Sequence, residues 1–296
     1  MAKHKFGGDW TEDKLRRLGQ YLNAYRKIFA VNARAKYFTT WYVDAFAGTG
    51  SRSSREPSEL EQNLFEEVYG DIETSHYRDG SPRIALGLAS PFDYYLFIEK
   101  SKTRVEELKA SISRSFPKLF SRCRFDVGDA NESLKEWCGR RNWAKERAVV
   151  FLDPYGMQVE WGTIETLART KGVDLWYLFP LGVGIARLLP HDGAINEGWE
   201  KRLTVVLGTN DWRSRFYQAE VEAGLFGDWE VTKRNASEKN IQSFIEERLA
   251  TCFAKVAKGK VLRNSKSSPM YLLCFAASNE RGASKALRIA QWVLDD

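Results

Sequence analysis

The sequence has few of the residues that build metal centres or cross-linked folds. Three histidines occur in 296 residues, and the four cysteines form no C-x-x-C pair: Cys123, Cys138, Cys252 and Cys274. Zinc sites and disulfide frameworks need closely spaced Cys and His residues. We therefore expect no metal site. Scattered thiols are typical of a reducing compartment, which predicts a cytoplasmic protein.

Long apolar runs are also lacking. The first ten residues, MAKHKFGGDW, contain no apolar signal core, and the most apolar run, residues 173–185, is interrupted by Pro180, Gly182 and Gly184. A membrane-spanning helix needs about 20 consecutive, mostly apolar residues. We therefore expect neither secretion nor a membrane span.

The chain does have a large apolar fraction and a small basic excess. Hydrophobic residues make up 43% of it, enough to bury a sizeable core, and the net charge is +6. This excess permits a polyanionic partner such as a nucleic acid, although it is also common in proteins that bind none. The length fits one large domain or two small ones, and we expect one over residues 1–296.

Apolar spacing predicts alternating strands and helices. A helical pattern begins at Asp9 and gives an N-terminal helical extension over residues 1–36. Five strands then alternate with helices, which predicts a Rossmann-like, doubly wound and mostly parallel α/β sheet. Residues 51–80 form a polar inserted loop, after which Ser81 is the expected N-cap of a helix. Residues 182–258, after the fifth strand, are predicted to be a mainly helical embellishment.

The first strand runs into a glycine turn with the sequence DAFAGTG, residues 44–50. Glycines let the chain turn sharply and let a ligand approach the backbone closely. The turn lacks the third glycine of the G-x-G-x-x-G dinucleotide fingerprint, which disfavours an NAD(P)-dependent enzyme. A turn of this kind is also typical of strand-to-helix connections that bind nothing.

Acidic residues stand at the ends of the next two strands. Glu99 ends the strand LFIEK, and Asp129 follows the strand that ends DVGDA. In nucleotide-binding sheets an acid at the second strand end accepts the ribose hydroxyls, and a carboxylate after the third could accept an adenine amine. Asp44, Glu99 and Asp129 at three successive strand ends favour a cofactor site over coincidence.

The fourth strand ends in the sequence DPYG, residues 153–156. Amino nitrogens conjugated with a base are weak nucleophiles because their lone pair is delocalised. The Asp153 carboxylate and the Pro154 carbonyl could accept the amine hydrogens and orient the nitrogen, while Tyr155 stacks on the base. The alternative is an ordinary Asp-Pro turn that ends a strand.

In this order, DAFAGTG, FIEK and DPYG resemble motifs I, II and IV of class I S-adenosylmethionine-dependent methyltransferases. DPYG is similar to the D-P-P-Y of adenine and cytosine amino-methyltransferases and to the D-P-F-G of tRNA guanine-N2 dimethyltransferases, with Tyr155 at the second proline position. The resemblance implies the class I methyltransferase fold, S-adenosylmethionine as cofactor, and transfer to an exocyclic amino nitrogen of a nucleobase in DNA or RNA. It assigns the target amine to Asp153, Pro154 and Tyr155, and the cofactor to Asp44, Phe46, Ala47, Gly48, Thr49, Gly50, Glu99, Lys100, Asp129 and Ala130.

A narrower likeness runs from Trp10 to Gly182. The stretches WTEDKLRRLGQYLNAY, YVDAFAGTGS, DGSPRIAL and FLDPYGMQVEWGTIETLARTKGVDLWYLFPLG resemble the three-Cys-motif partner (TcmP) proteins. This family implies a bacterial or phage protein encoded beside a cysteine-motif partner protein. It keeps a second function open, a cofactor-binding regulatory module that acts through that partner.

Basic residues offer a surface for the phosphates of a nucleic acid, and the aromatic residues of DWRSRFYQ, Trp212, Phe216 and Tyr217, offer stacking faces. Each basic cluster is also typical of a solvated face, and the aromatic spacing of a helix core. The clusters are Arg52 and Arg55; Arg140, Arg141, Lys145 and Arg147; and Lys255, Lys258, Lys260, Arg263 and Lys266.

Overall fold

The computed structural model describes residues 9–49, 80–224 and 227–296. The predicted N-terminal helix is present as α1, Asp9–Val31. The inserted loop predicted at residues 51–80 lies outside the described residues except for Gly80. In the described ranges no helix is long and apolar enough to cross a membrane.

Five parallel strands form the centre of one sheet, in the spatial order β3-β2-β1-β4-β5. They are β1 (Thr39–Asp44), β2 (Tyr94–Glu99), β3 (Cys123–Val127), β4 (Glu146–Leu152) and β5 (Val173–Phe179). The direction of winding reverses between β1 and β4, and open α/β sheets bind ligands at the carboxyl ends of the strands beside such a reversal. This order confirms the predicted doubly wound fold.

Antiparallel strands from the carboxyl-terminal part of the chain extend the sheet to eight strands. They are β8 (Lys255–Val256), β9 (Lys260–Arg263) and β10 (Pro269–Ala277). β10 runs against β5, and β8 and β9 both pair with β10. The first residues of β10 and the turn before it therefore lie at the sheet edge where the parallel strands end.

Helices cover both faces of this sheet. Besides α1 they are α2 (Ser81–Leu86), α3 (Lys102–Ser115), α4 (Ala130–Gly139), α5 (Trp161–Arg169), α6 (Glu197–Leu207), α7 (Trp212–Phe216), α8 (Glu238–Ala250) and α9 (Ala283–Asp295), with short helical turns at Ala35–Tyr37, Phe120–Arg122, Leu181–Ile185 and Ala186–Leu188. Successive strand residues point to opposite faces, so Tyr42 and Val149 join one apolar cluster while Val43 and Val150 join the other. The parallel strands are thus buried on both sides.

Residues 182–258 contain a β-hairpin that the sequence patterns did not predict. Its strands, β6 (Tyr217–Gly224) and β7 (Gly227–Arg234), pair with each other and form a separate two-stranded sheet. Their charged residues interrupt any apolar run, so the alternation of a half-exposed strand was missed. In the adjoining helix α7, Trp212 and Phe216 are fully buried. These two side chains belong to the helix core, which was the alternative interpretation of this segment, and they cannot stack on a base.

Helix α1 is attached at several points along its length. Tyr21 donates a hydrogen bond to the Asp174 carboxylate at the start of β5, at 2.6 Å. Arg17 donates to the Val293 carbonyl of α9, and Arg16 pairs with Asp296. Burial raises the pKa of Asp174 to about 6, and the hydrogen bond from Tyr21 acts in the opposite direction. The helix is therefore an integral layer of the domain.

We expect Tyr21→Phe to lower the free energy of unfolding by about 1–3 kcal/mol at pH 8, and by less at pH 5. The Tyr21 hydroxyl stabilises the ionised form of Asp174, and above a pKa of about 6 that form dominates. Denaturant unfolding at the two pH values measures the difference. Tyr25→Phe is the matched control, since Tyr25 is also buried on α1 and makes no described hydrogen bond to Asp174. A loss that is independent of pH would contradict this account.

Candidate functional site

The carboxyl ends of β1, β2 and β4 meet at one point of the sheet edge. Asp44, the last residue of β1, is in register with Phe97 of β2 and Phe151 of β4. Beyond the strand, the Ala45 N–H donates to the Phe151 carbonyl at 3.2 Å and the Ala47 N–H to the Ile98 carbonyl at 3.0 Å. The turn after β1 is thereby attached to both neighbouring strands.

Glu99 closes this turn. Its Oε2 accepts a hydrogen bond from the Gly48 N–H at 3.1 Å, and its Oε1 accepts one from the Ser101 N–H at 2.9 Å. Gly48 has φ +57°, and a Cβ there would meet no atom of the described residues within 4 Å, so among these residues the turn borders open space. An ionised carboxylate offers about four lone-pair sites, so Glu99 keeps capacity for further donors such as ribose hydroxyls.

Asp44 is fully buried beneath the turn. Its carboxylate accepts hydrogen bonds from the Phe46 N–H at 3.2 Å, from the Tyr42 hydroxyl at 3.3 Å and from the Ser81 hydroxyl. Burial, together with the nearby charge of Asp153, raises the pKa of Asp44 to about 7. Asp44 therefore shapes the turn from inside the protein.

The predicted N-cap role of Ser81 is wrong. Helix α2 begins at Ser81, and Gly80 takes the N-cap position without a side-chain hydrogen bond. The Ser81 hydroxyl instead donates to the carboxyl group of Asp44 and so satisfies a polar group that is buried away from water. Ser81 thus belongs to the site, a role that no local pattern indicated.

The remaining candidate cofactor-binding residues differ in how exposed they are to solvent. Asp129 is exposed and caps α4, with Oδ1 accepting from the Asn131 N–H at 2.9 Å and the Glu132 N–H at 3.4 Å. Ala47 and Ala130 are buried and Lys100 is exposed, while Phe46 and Thr49 are half-buried. Gly50 lies outside the described residues. Capping explains the position of Asp129 without a ligand and leaves its Oδ2 without a hydrogen bond from any described residue.

The DPYG segment follows β4 at the same edge. Pro154 is buried, whereas Tyr155 is 48% exposed, so its ring is accessible at the surface. The Tyr155 N–H donates to the Gln158 side chain at 2.9 Å, which holds the turn. Asp153 lies between these groups and the buried Asp44.

Sequence patterns missed the residue that pairs with Asp153. The Lys14 Nζ lies 2.5 Å from the Asp153 Oδ2, and the Lys14 side chain is 1% exposed. The ammonium also lies 5.1 Å from the centre of the Trp10 ring, which packs against Tyr271 of β10. A signal was present, since Lys14 occupies a core-facing position of α1 at helical spacing from Leu18.

The basic clusters divide between the two edges of the sheet. Residues 140–147 precede or begin β4 and so lie at the edge opposite the site, where Arg147 packs 3.9 Å from the Phe38 ring. This cluster therefore lies apart from Asp153, and its contact with phosphates stays a prediction. Arg263 and Lys266 flank the turn before β10 and do reach the site edge. Arg52 and Arg55 lie outside the described residues.

No metal centre is formed by the described side chains. Within residues 9–49, 80–224 and 227–296, no three His, Cys, Asp or Glu residues are placed to hold an ion. All four cysteines are free, and burial raises the pKa of Cys123 and of Cys138 to about 12. These two thiols are therefore poor nucleophiles near neutral pH.

No family model and no curated protein matches the chain. Among solved structures, it is similar to a methyltransferase from Geobacter sulfurreducens, with 15% identity over 73% of this chain and 78% of that one and a TM-score of 0.32. It is also similar to the methyltransferase domain of bacterial CtHen1-C, with 11% identity over 88% and 98% and a TM-score of 0.36. These likenesses concern the fold alone, and the strand order given above is the basis of the fold assignment.

We expect Asp44→Asn to raise the unfolding temperature at pH 8.5 and to change it less at pH 5. The pKa of Asp44 is raised from 3.8 to about 7, so the folded protein binds a proton that the unfolded chain has lost. Stability from this group is present below about pH 4 and falls as the pH rises to about 7, by on the order of 4 kcal/mol for a shift of about three pKa units. An amide does not titrate and removes that loss.

Thermal unfolding between pH 5 and pH 8.5 measures this effect. Asp126→Asn, a half-buried carboxylate on β3, is the control for removing one negative charge. A shift in unfolding temperature of the same size at both pH values would show that Asp44 does not carry the proton.

Proposed function

We propose that the protein is an S-adenosylmethionine-dependent methyltransferase that acts on an exocyclic amino nitrogen of a nucleobase in DNA or RNA. One observation carries the proposal: the glycine turn with its Glu99 contact and the Asp-Pro-Tyr segment lie at the ends of adjacent strands. A cofactor held by the first would have its reactive end near the second. The DPYG likeness to amino-methyltransferases supplies the type of acceptor.

The cofactor side of the proposal uses the first three strand ends. Open space beside Gly48 fits a cofactor that approaches the backbone, and Glu99 fits ribose hydroxyls. Asp129 and Ala130 would contact the adenine ring, with Lys100 at the rim. S-adenosylmethionine supplies a methyl group on a sulfonium, which needs an aligned acceptor more than a strong base.

The acceptor side uses Asp153, Pro154 and Tyr155. The Asp153 carboxylate and the Pro154 carbonyl would accept the two amine hydrogens and turn the nitrogen lone pair toward the methyl group. The exposed Tyr155 ring would stack on the base. Arg263 and Lys266, at the same edge, would contact phosphates of the nucleic acid.

Membership of the TcmP family, a cysteine-motif partner protein, bacterial or phage origin and a cytoplasmic location complete the proposal. They rest on the sequence likeness between Trp10 and Gly182 and on the scarcity of paired cysteines. A partner requirement would show as methyl transfer that appears only when the two proteins are combined.

We expect wild type to bind S-adenosylhomocysteine, and Gly48→Val to weaken that binding at least tenfold. The substitution puts a branched side chain at φ +57° into the open space beside the turn. Calorimetric titration measures both dissociation constants. Gly162→Val is the control, because a Cβ at Gly162 also meets nothing within 4 Å and the residue lies on α5, away from the turn. No binding by wild type would overturn the cofactor assignment.

We expect Asp153→Ala to reduce methyl transfer about 100-fold while the affinity for S-adenosylhomocysteine stays within about twofold. Transfer of labelled methyl from S-adenosylmethionine to total RNA and to genomic DNA measures the rate, and nucleoside mass spectrometry identifies the product. Asp126→Ala is the control. Cofactor binding with no transfer by wild type would shift the assignment to a regulatory module, and transfer unaffected by Asp153→Ala would remove Asp153 from the mechanism.

A further inference from the structure

Lys14 and Asp153 form a buried ion pair between helix α1 and the end of β4. The two residues are 139 positions apart in the chain, and Nζ and Oδ2 lie 2.5 Å apart. Asp153 Oδ1 receives no hydrogen bond from any described residue. Lys14 thus occupies one oxygen of the carboxylate and leaves the other for a donor from outside the chain.

Lys14 approaches Asp153 from the protein interior. Its side chain is 1% exposed, whereas that of Asp153 is 16% exposed, so solvent reaches the carboxylate and not the lysine. The helix that carries Lys14 is fixed by the Tyr21 contact to Asp174 and the Arg17 contact to Val293. Lys14 therefore lines the inner side of the site, and a substrate could contact Asp153 without displacing the lysine.

Lys14 supplies the cation beside two neighbouring carboxyl groups. Within the described part of the chain, the titratable groups facing Asp153 are Lys14 of α1 and Asp44 and Tyr42 of β1. Lys14 is the one cation of this set, and it contacts Asp153 directly.

We propose that Lys14 is a positioning residue for the methyl acceptor: it holds Asp153 by Oδ2 and leaves Oδ1 to receive the acceptor amine. Fixing one oxygen fixes the plane of the carboxylate and so the direction from which the amine must approach. The inference rests on the proposed function, because it assigns the amine to Asp153.

The binding of sinefungin tests the role of Lys14, and this test does not require that the methyl acceptor be known. In sinefungin a carbon that bears an amine replaces the sulfur and its methyl group, so its ammonium would stand beside Asp153. S-adenosylhomocysteine lacks that group and otherwise occupies the same site. The ratio of the two dissociation constants therefore reports on Asp153, and effects on the rest of the cofactor site cancel.

We expect the preference of Lys14→Met for sinefungin over S-adenosylhomocysteine to be about tenfold smaller than that of wild type, because a carboxylate no longer held by Oδ2 presents Oδ1 in several orientations. Lys14→Arg retains a cation and should keep the wild-type preference. Arg26→Met, which removes another buried base from α1, should leave the preference unchanged.

Two outcomes are decisive. An equal sinefungin preference for wild type and Lys14→Met, with S-adenosylhomocysteine still bound, overturns the inference and leaves the proposed function intact. Absence of S-adenosylhomocysteine binding by wild type overturns the proposed function and the inference with it. If Lys14→Met does not fold, the same preference is measured for Lys14→Gln, where a value equal to that of wild type overturns the inference and a reduced one supports it.

Discussion

Parallel pairing of β1 with both β2 and β4 determines where the candidate residues lie. Asp44 pairs with Phe97 on one side and Phe151 on the other, so the three strands end within about two residues of one another. A shift of one residue in this register would exchange the two faces of β1 and separate the Gly48 N–H from Glu99. The site thus depends on the same backbone hydrogen bonds that hold the sheet together.

Helix α1 is the second element on which the site depends. Tyr21 connects it to Asp174, at the amino end of β5, while Lys14 reaches Asp153, at the carboxyl edge. Lys14 and Tyr21 are seven positions apart in the chain, which is about 10 Å along a helix. One rigid helix therefore spans the sheet from one edge to the other. The position of Lys14 is set by contacts at the far edge, so what looked like a helical extension in the sequence forms part of the site.

Local patterns were sufficient for the strand order and for the residues that end strands. Asp44, Glu99 and Asp153 could be found because each follows a buried apolar run, and parallel strands bring their ends together. Lys14 and Ser81 could not be found in this way, because each contacts a residue far away in the sequence. Lys14 did carry a signal, a charged residue on the apolar stripe of a helix, and such a position indicates a buried partner.

The hairpin was missed, and the basic residues 140–147 lie away from the site, for a different reason. The charged, alternating residues of β6 and β7 do not distinguish a strand from a polar helix. Arg147 is basic and near DPYG in the sequence, yet it lies near the start of β4, and the rest of that strand separates the two by about 20 Å. Proximity in sequence to a strand end is therefore a poor guide to a shared surface when most of the strand lies between.

Asp44, Asp153 and Lys14 lie together at the site, and the extent of their burial determines the role of each. Asp44 and Asp153 are two carboxylates near one lysine, so full ionisation leaves a net negative charge in a poorly solvated region. Asp44 is fully buried, receives only neutral hydrogen-bond donors, and its pKa is raised to about 7. Asp153 keeps contact with solvent and takes the cation. The proton therefore belongs on the residue that shapes the turn, and the contact with the lysine on the residue that solvent reaches.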